Sequence, residues 1–268
     1  MKKTLISLSL ISILTSSLLF ADKLTNAEKK ALMQGHTTVI IPTAGDLANS
    51  LKQNKNLHGI QWDRFIDVKI DPSKKYKTQK DKALHLGAKG ADAYFLAIAK
   101  NSSDLEAVAN GINTTLTKIR VNKKALRNII GQENLKSLET EVKAKRWSSV
   151  LKKIAKLKDD IQFQFEKANK QSLKKLNNIG GWIEGYRIAV EGFNSKYSQK
   201  DTSVLIQTSL IEVLTKDLKS IDSYGKKGEI LTLLNSIHTI LGKAKENTLS
   251  KAQVGELSKL LESAKSFL

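Results

Sequence analysis

The sequence predicts an all-α chain, a multi-helix antiparallel bundle, and three observations carry that expectation. The only 2 prolines of the 268 residues, Pro42 and Pro72, both lie early, so helix-breaking residues are almost missing after residue 73. In that part apolar residues recur at three- and four-residue steps, the spacing that gathers them on one helical face. Pairs that cap a helix start reciprocally, Thr25 with Glu28 and Ser103 with Glu106, punctuate the pattern.

Taken in order, residues 1–21 have the layout of a secretory signal peptide. Lys2 and Lys3 precede an apolar stretch from Leu5 to Phe20, and Ala21 supplies a small residue before a cut at Asp22. A retained anchor is the alternative, but the apolar core is short against a span of about 20 residues, and Asp22 and Lys23 follow at once. Residues 22–78 are expected to pack on the later domain rather than fold alone. They offer a short helix from Thr25 to Met33, a brief extended piece at Thr38 to Ile41 and a short helix at Asp46 to Lys52. A crossover follows, whose Trp62, Phe65, Ile66 and Ile70 need apolar partners.

Residues 79–268 form the expected bundle domain. A helix over 79–100 carries Leu84, Ala88, Ala91, Phe95 and Ile98, and Ser103 opens a second with Leu105, Val108, Ile112, Leu116 and Ile119. Leu126, Ile129 and Ile130 mark a short piece. The segment of Leu135 and Leu138 then leads toward a long helix striped by Trp147, Val150, Ile154, Leu157, Ile161 and Phe165. Helices from about Ile179 to Ser195, Ser203 to Leu218, Ile230 to Leu241 and Val254 to Leu268 complete the chain. Short connections between striped helices suit antiparallel packing. Leu86-Gly87 and Ile179-Gly180 each begin a segment with aromatics, a polar turn and an amphipathic helix, so two related helical halves are an alternative organisation.

Charge and composition narrow the function. Lys and Arg number 45 against 26 Asp and Glu, a formal charge of +19. Export removes nucleic acid as a partner, and the aromatics are not interleaved with the basic runs as a single-strand stacking surface requires. The remaining electrostatic readings are an anionic small molecule, a weak contact with an anionic membrane surface, or a solvated lysine-rich face. The densest run, Lys143 to Lys158, shares its helix with Trp147 and an apolar stripe, a pattern of interfacial helices that also serves plain burial. With no cysteine, lipidation, thiol catalysis, thiolate metal sites and disulfides are excluded. The expected compartment is the periplasm.

The candidate site rests on small residues. Gly87, Gly90 and Ala91 on one helix and Gly180, Gly181 and Gly185 on another would let the two approach closely, since each mid-helix glycine otherwise costs about 1 kcal/mol. If they meet, Asp92, Tyr94, Trp182, Glu184, Tyr186 and Arg187 would line a polar-aromatic cleft, with Arg187 able to hold a carboxylate by its paired donors. Helix crossing without a ligand, and Glu184 with Arg187 as a surface pair, are the ordinary alternatives. His36, His58, His85 and His238 have no zinc-binding spacing, and no nucleophile elbow, phosphate loop or dinucleotide fingerprint occurs. The expectation is therefore an exported, non-enzymatic binding protein without a cofactor, for a small ligand or another envelope component. A membrane-attached structural module and a metal- or haem-associated enzyme are the alternatives.

Overall fold

The computed structural model describes residues 47, 51, 54–68, 76–119, 121 and 132–268. The leader-like segment, the Thr25–Glu28 pair, the extended piece at 38–41 and the short helix around Leu126 to Ile130 lie outside the described residues. Among the described residues the chain is an all-helical, multi-helix bundle, and its one β-bridge, Lys245 with Thr248, closes a turn.

Two helices form the centre. Helix α1, Gln79–Ala99, starts on a reciprocal cap: the Thr78 hydroxyl accepts from Asp81 N at 3.0 Å, and Asp81 Oδ2 accepts from Thr78 N at 3.1 Å. It ends where Lys100 turns left-handed at φ 60° and its N–H reaches back to the last turn. Helix α5, Gln171–Ser195, is the longest. Both are buried on nearly every side, as their weakly one-sided sequences require. Around them pack α2, Ser102–Lys118; α4, Trp147–Lys167; α6, Thr208–Lys219; and α8, Lys251–Glu262. Helix α3, Gln132–Lys143, leans on α4, and α7, Lys227–Leu241, bridges α6 and α8.

Glycine sets the distance between α1 and α5. A Cβ on Gly87 would stand 1.8 Å from the Asn177 carbonyl oxygen, one on Gly180 1.9 Å from that of Leu84, and one on Gly181 3.2 Å from that of Gly87. The close approach therefore runs through backbone, and Gly180 belongs to it with Gly87 and Gly181. Gly90 does not: an added Cβ there meets nothing within 4 Å. Ala91 and Gly185 are buried on their own helices. Asn177 Nδ2 also donates to Ala83 O at 3.2 Å. Contacts thus advance together along both helices, from Ala83 and Asn177 to Gly87 and Gly181, so α1 and α5 run in the same sense where they cross.

Several boundaries differ from expectation, each for a local reason. Helix α2 begins at Ser102 because Asn101, not Ser103, is the cap, its side chain accepting from Asp104 N at 3.1 Å. Lys145, left-handed at φ 54°, separates α3 from the long helix. The expected helix from Ser203 splits into a 3-10 segment, Gln199–Leu205, and α6, and at the break Gln207 turns its side chain to Trp182. Helix α5 starts well before Ile179 because Leu173 and Leu176 extend its buried face. The last helix tightens into a 3-10 turn at Ser263–Ser266, which takes Ala264 and Leu268 off the α-helical face while keeping both buried.

The segment 54–68 is pinned at several points. Trp62 sits in the core, its ring centre 5.4 Å from that of Phe95 and directly over Gly192. Asn54 and Asn56 donate to Asp201 at 3.0 and 3.1 Å, and Lys196 Nζ donates to His58 O at 2.7 Å. Among the described residues no helix is long and apolar enough to cross a membrane.

Candidate ligand site at the crossing of α1 and α5

Lys89 and Asp92 lie one turn apart on α1 inside a buried run from Ala83 to Ala97, and Glu184 and Arg187 repeat that spacing on α5. Buried charges persist only where they are paired and hydrogen-bonded. Lys89 Nζ donates to Asp92 Oδ2 at 2.7 Å and to the Asp67 carbonyl at 3.1 Å. Arg187 Nε donates to Glu184 Oε2 at 2.8 Å, while its Nη2 donates to Glu184 Oε1 and to the Phe65 carbonyl at 2.6 Å. Each cation thus holds a carboxylate of its own helix and a main-chain oxygen of the 65–67 segment.

His85, two turns before Asp92, completes the cluster. Its Nδ1 lies 2.8 Å from the Leu268 main-chain oxygen, which can only accept. The proton therefore sits on Nδ1, and Nε2 presents a lone pair. Burial pushes the His85 pKa down to about 4, against the opposing pull of the Leu268 bond, so the ring is neutral near pH 7. Tyr76 stacks on it with ring centres 4.0 Å apart.

The two carboxyls differ. Burial pushes Asp92 up, Lys89 draws it down, and the Glu184 carboxylate pushes it up again, leaving it at about 7. Burial pushes Glu184 up as well, but the Arg187 guanidinium, with bonds from Arg187 and Asp92, holds it below its ordinary value. Glu184 is the ionised partner, and Asp92 is the one that keeps a proton.

These groups surround a cavity of about 40 Å³, walled also by Tyr76, Ala88, Lys265 and Leu268. At roughly 10–15 Å³ for one water-sized sphere, it has room for a very small polar group. Among the described residues the buried His85 Nε2 in its wall has no hydrogen-bond partner, and Asp92 Oδ1 has none when Asp92 is ionised. Beside it lies an open hollow of about 480 Å³ bordered by Arg64 to Val68, Glu191 and Glu262, and Asp67, Arg187 and Lys265 line both spaces.

Of the six residues expected to form a cleft, Asp92, Glu184 and Arg187 come together here. Tyr94 is buried but lines neither space. Trp182 and Tyr186 stack on each other at 4.8 Å and bond elsewhere, Trp182 Nε1 to Gln207 Oε1 and Tyr186 OH to Leu205 O, each at 2.8 Å. They are core residues with satisfied polar ends. Sequence reasoning missed Lys89, Tyr76, Asp67 and Leu268, and weighed His85 only as a histidine without zinc-binding spacing. Lys89 left a signal, since a lysine and an aspartate three apart in an otherwise apolar run must find each other. Among the described residues no group of three or more His, Asp or Glu side chains is arranged to hold a metal ion. Comparisons with protein-family models, curated proteins and solved structures give no match to this chain.

Proposed function

We propose that this chain is an exported, non-enzymatic binding protein whose small ligand enters the hollow beside Phe65 to Val68 and reaches the buried charges with one end. One observation carries this reading: among the described residues the nearly inaccessible His85 Nε2 is an acceptor without a partner, beside Asp92, in the wall of a cavity that shares Asp67, Arg187 and Lys265 with an open hollow. Ligand sites of this kind are concave and place a few convergent polar groups at one end. The hollow is large enough for a metabolite-sized molecule.

The membrane-attached alternative has thinner support. On the basic helix α4, Lys156 pairs with Asp160 at 2.7 Å, and among the described residues Phe163, 58 % exposed, is the one large hydrophobic side chain that is exposed.

Native mass spectrometry of the full chain purified from its own host tests the binding reading. A co-purified small molecule is expected, and Val68→Trp, which fills the hollow, is expected to lose it. A wild-type protein that carries no adduct, or an adduct unaffected by Val68→Trp, would sink the proposal.

A further inference from the structure

We infer that the inner cavity takes a primary ammonium group, held by His85 Nε2, Asp92 and Glu184, as the head of the ligand that the hollow admits. The inference rests on the binding reading above and names the chemistry of its ligand.

Hydrogen-bond bookkeeping decides the class. Lys89 is bonded to Asp92 and Asp67, and Arg187 to Glu184 and Phe65, so each cation already holds a carboxylate and a main-chain oxygen. His85 Nε2, without a partner among the described residues, is an acceptor, and Asp92 Oδ1 becomes one when the Asp92 proton leaves. A group entering here must donate. A carboxylate or phosphate has nothing to donate and would face Glu184. A hydroxyl donates only once, which leaves either His85 Nε2 or the ionised Asp92 unserved, and an unserved buried polar group is costly. An ammonium offers three donors and no lone pair, enough for His85 Nε2 and the carboxylates of Asp92 and Glu184 together.

The charge balance agrees. With Asp92 protonated, the cluster of Lys89, Arg187, Glu184 and Asp92 carries one net positive charge. An ammonium that displaces the Asp92 proton leaves that total unchanged, so the buried site gains no charge when it fills. The groups facing Asp92 are Lys89 and His85 of α1, Glu184 and Arg187 of α5, Tyr76 and Asp67 from the preceding chain, and Lys265 after α8. His85 titrates below pH 6, the shifts of Tyr76 and Arg187 take them far above pH 8, and Glu184 stays ionised between these limits, so Asp92 carries the pH dependence.

Isothermal titration of the full chain with methylammonium chloride, glycerol and sodium acetate at pH 6 and pH 8, at fixed ionic strength, tests this. Methylammonium is expected to bind at one site with a Kd of roughly millimolar order, the ceiling for so few atoms. Release of one proton with a pKa of about 7 makes that binding about tenfold tighter at pH 8 than at pH 6. Asp92→Asn, with native helix content confirmed by circular dichroism, is expected to weaken binding at pH 8 and to remove the pH difference. Should the variant fail to fold, the wild-type pH ratio and the probe ranking decide alone. Acetate binding in place of methylammonium, glycerol binding equally well, an unchanged Kd across pH, or no binding of any probe each overturns the ammonium assignment. In those cases a co-purified ligand lost on Val68→Trp still upholds the binding reading, so the two failures are distinguishable.

Discussion

Gly87 lies so close to Asn177 that a single added methyl group would stand 1.8 Å from the Asn177 carbonyl oxygen. Backbone cannot swing aside as a side chain does, so Gly87→Ala forces α1 and α5 apart and unseats the packing beneath. A loss of about 3 kcal/mol or more is expected, at the upper end of overpacking costs. Gly90→Ala, with open space around its Cβ, is expected to be neutral or to stabilise by up to about 1 kcal/mol through helix propensity. Paired thermal melts check both, and equal melting temperatures for the two variants would refute the crossing.

Removing Arg187 strands Glu184 and the Phe65 carbonyl. The guanidinium is 2 % exposed and its carboxylate partner 9 %, so Arg187→Met is expected to cost about 3–5 kcal/mol, the penalty for an unpaired buried charge. The double variant Arg187→Met with Glu184→Met is expected to recover a large part of that loss. Urea denaturation of the two variants and of Glu184→Met closes the cycle, and simple additivity would mean that the pair is not coupled.

Asp92 gives stability a dependence on pH. Its folded pKa, about 7, is raised above the ordinary aspartate value of 3.8, so the folded state keeps a proton that the unfolded state releases. The contribution is fully present below about 4 and is lost as pH rises to about 7. His85 acts in the opposite direction: its folded pKa is lowered from 6.5 to about 4, so its contribution is full above 6.5 and falls as pH drops toward 4. The stability of Asp92→Asn relative to wild type is therefore expected to climb between about pH 4 and 7 and level off above. Urea melts at pH 4, 5, 6, 7 and 8 measure it, and a flat difference would show that Asp92 holds no extra proton.

Trp62 ties the 54–68 segment to α5. A Cβ at Gly192 would come within 2.2 Å of the indole ring, so Gly192→Ala is expected to push Trp62 outward. The expected cost is about 1–3 kcal/mol, with a red shift in tryptophan emission. Unaltered emission would mean that the ring adjusts in place.

The fold was legible because its signals are local. Periodicity identified the helices, although the cap at Ser103 was misplaced by two residues, and the glycines of α1 and α5 pointed to a close crossing. Which glycines touch was not legible: Gly90 and Gly87 look alike in sequence, and only the crossing angle separates them. The meeting of Asp92, Glu184 and Arg187 was legible, because they are charges with nowhere apolar to go. Trp182 and Tyr186 misled, since an aromatic with a polar tip fits a ligand site and a satisfied core equally well. The boundary at Ser203 failed because Gln207 is drawn to Trp182, a tertiary bond invisible to local pattern.

Three of the cluster's hydrogen bonds end on main-chain oxygens, those of Phe65, Asp67 and Leu268. A main-chain oxygen is the same whatever side chain is attached to its residue. Mutational drift can therefore exchange Phe65 or Leu268 for residues of similar bulk without touching the charge network, whereas Lys89, Asp92, Glu184 and Arg187 have no such freedom. In diverged copies of this chain the site would survive as four fixed charges beside neighbours whose identities wander, with ancestry recorded in the path of the backbone rather than in the letters along it.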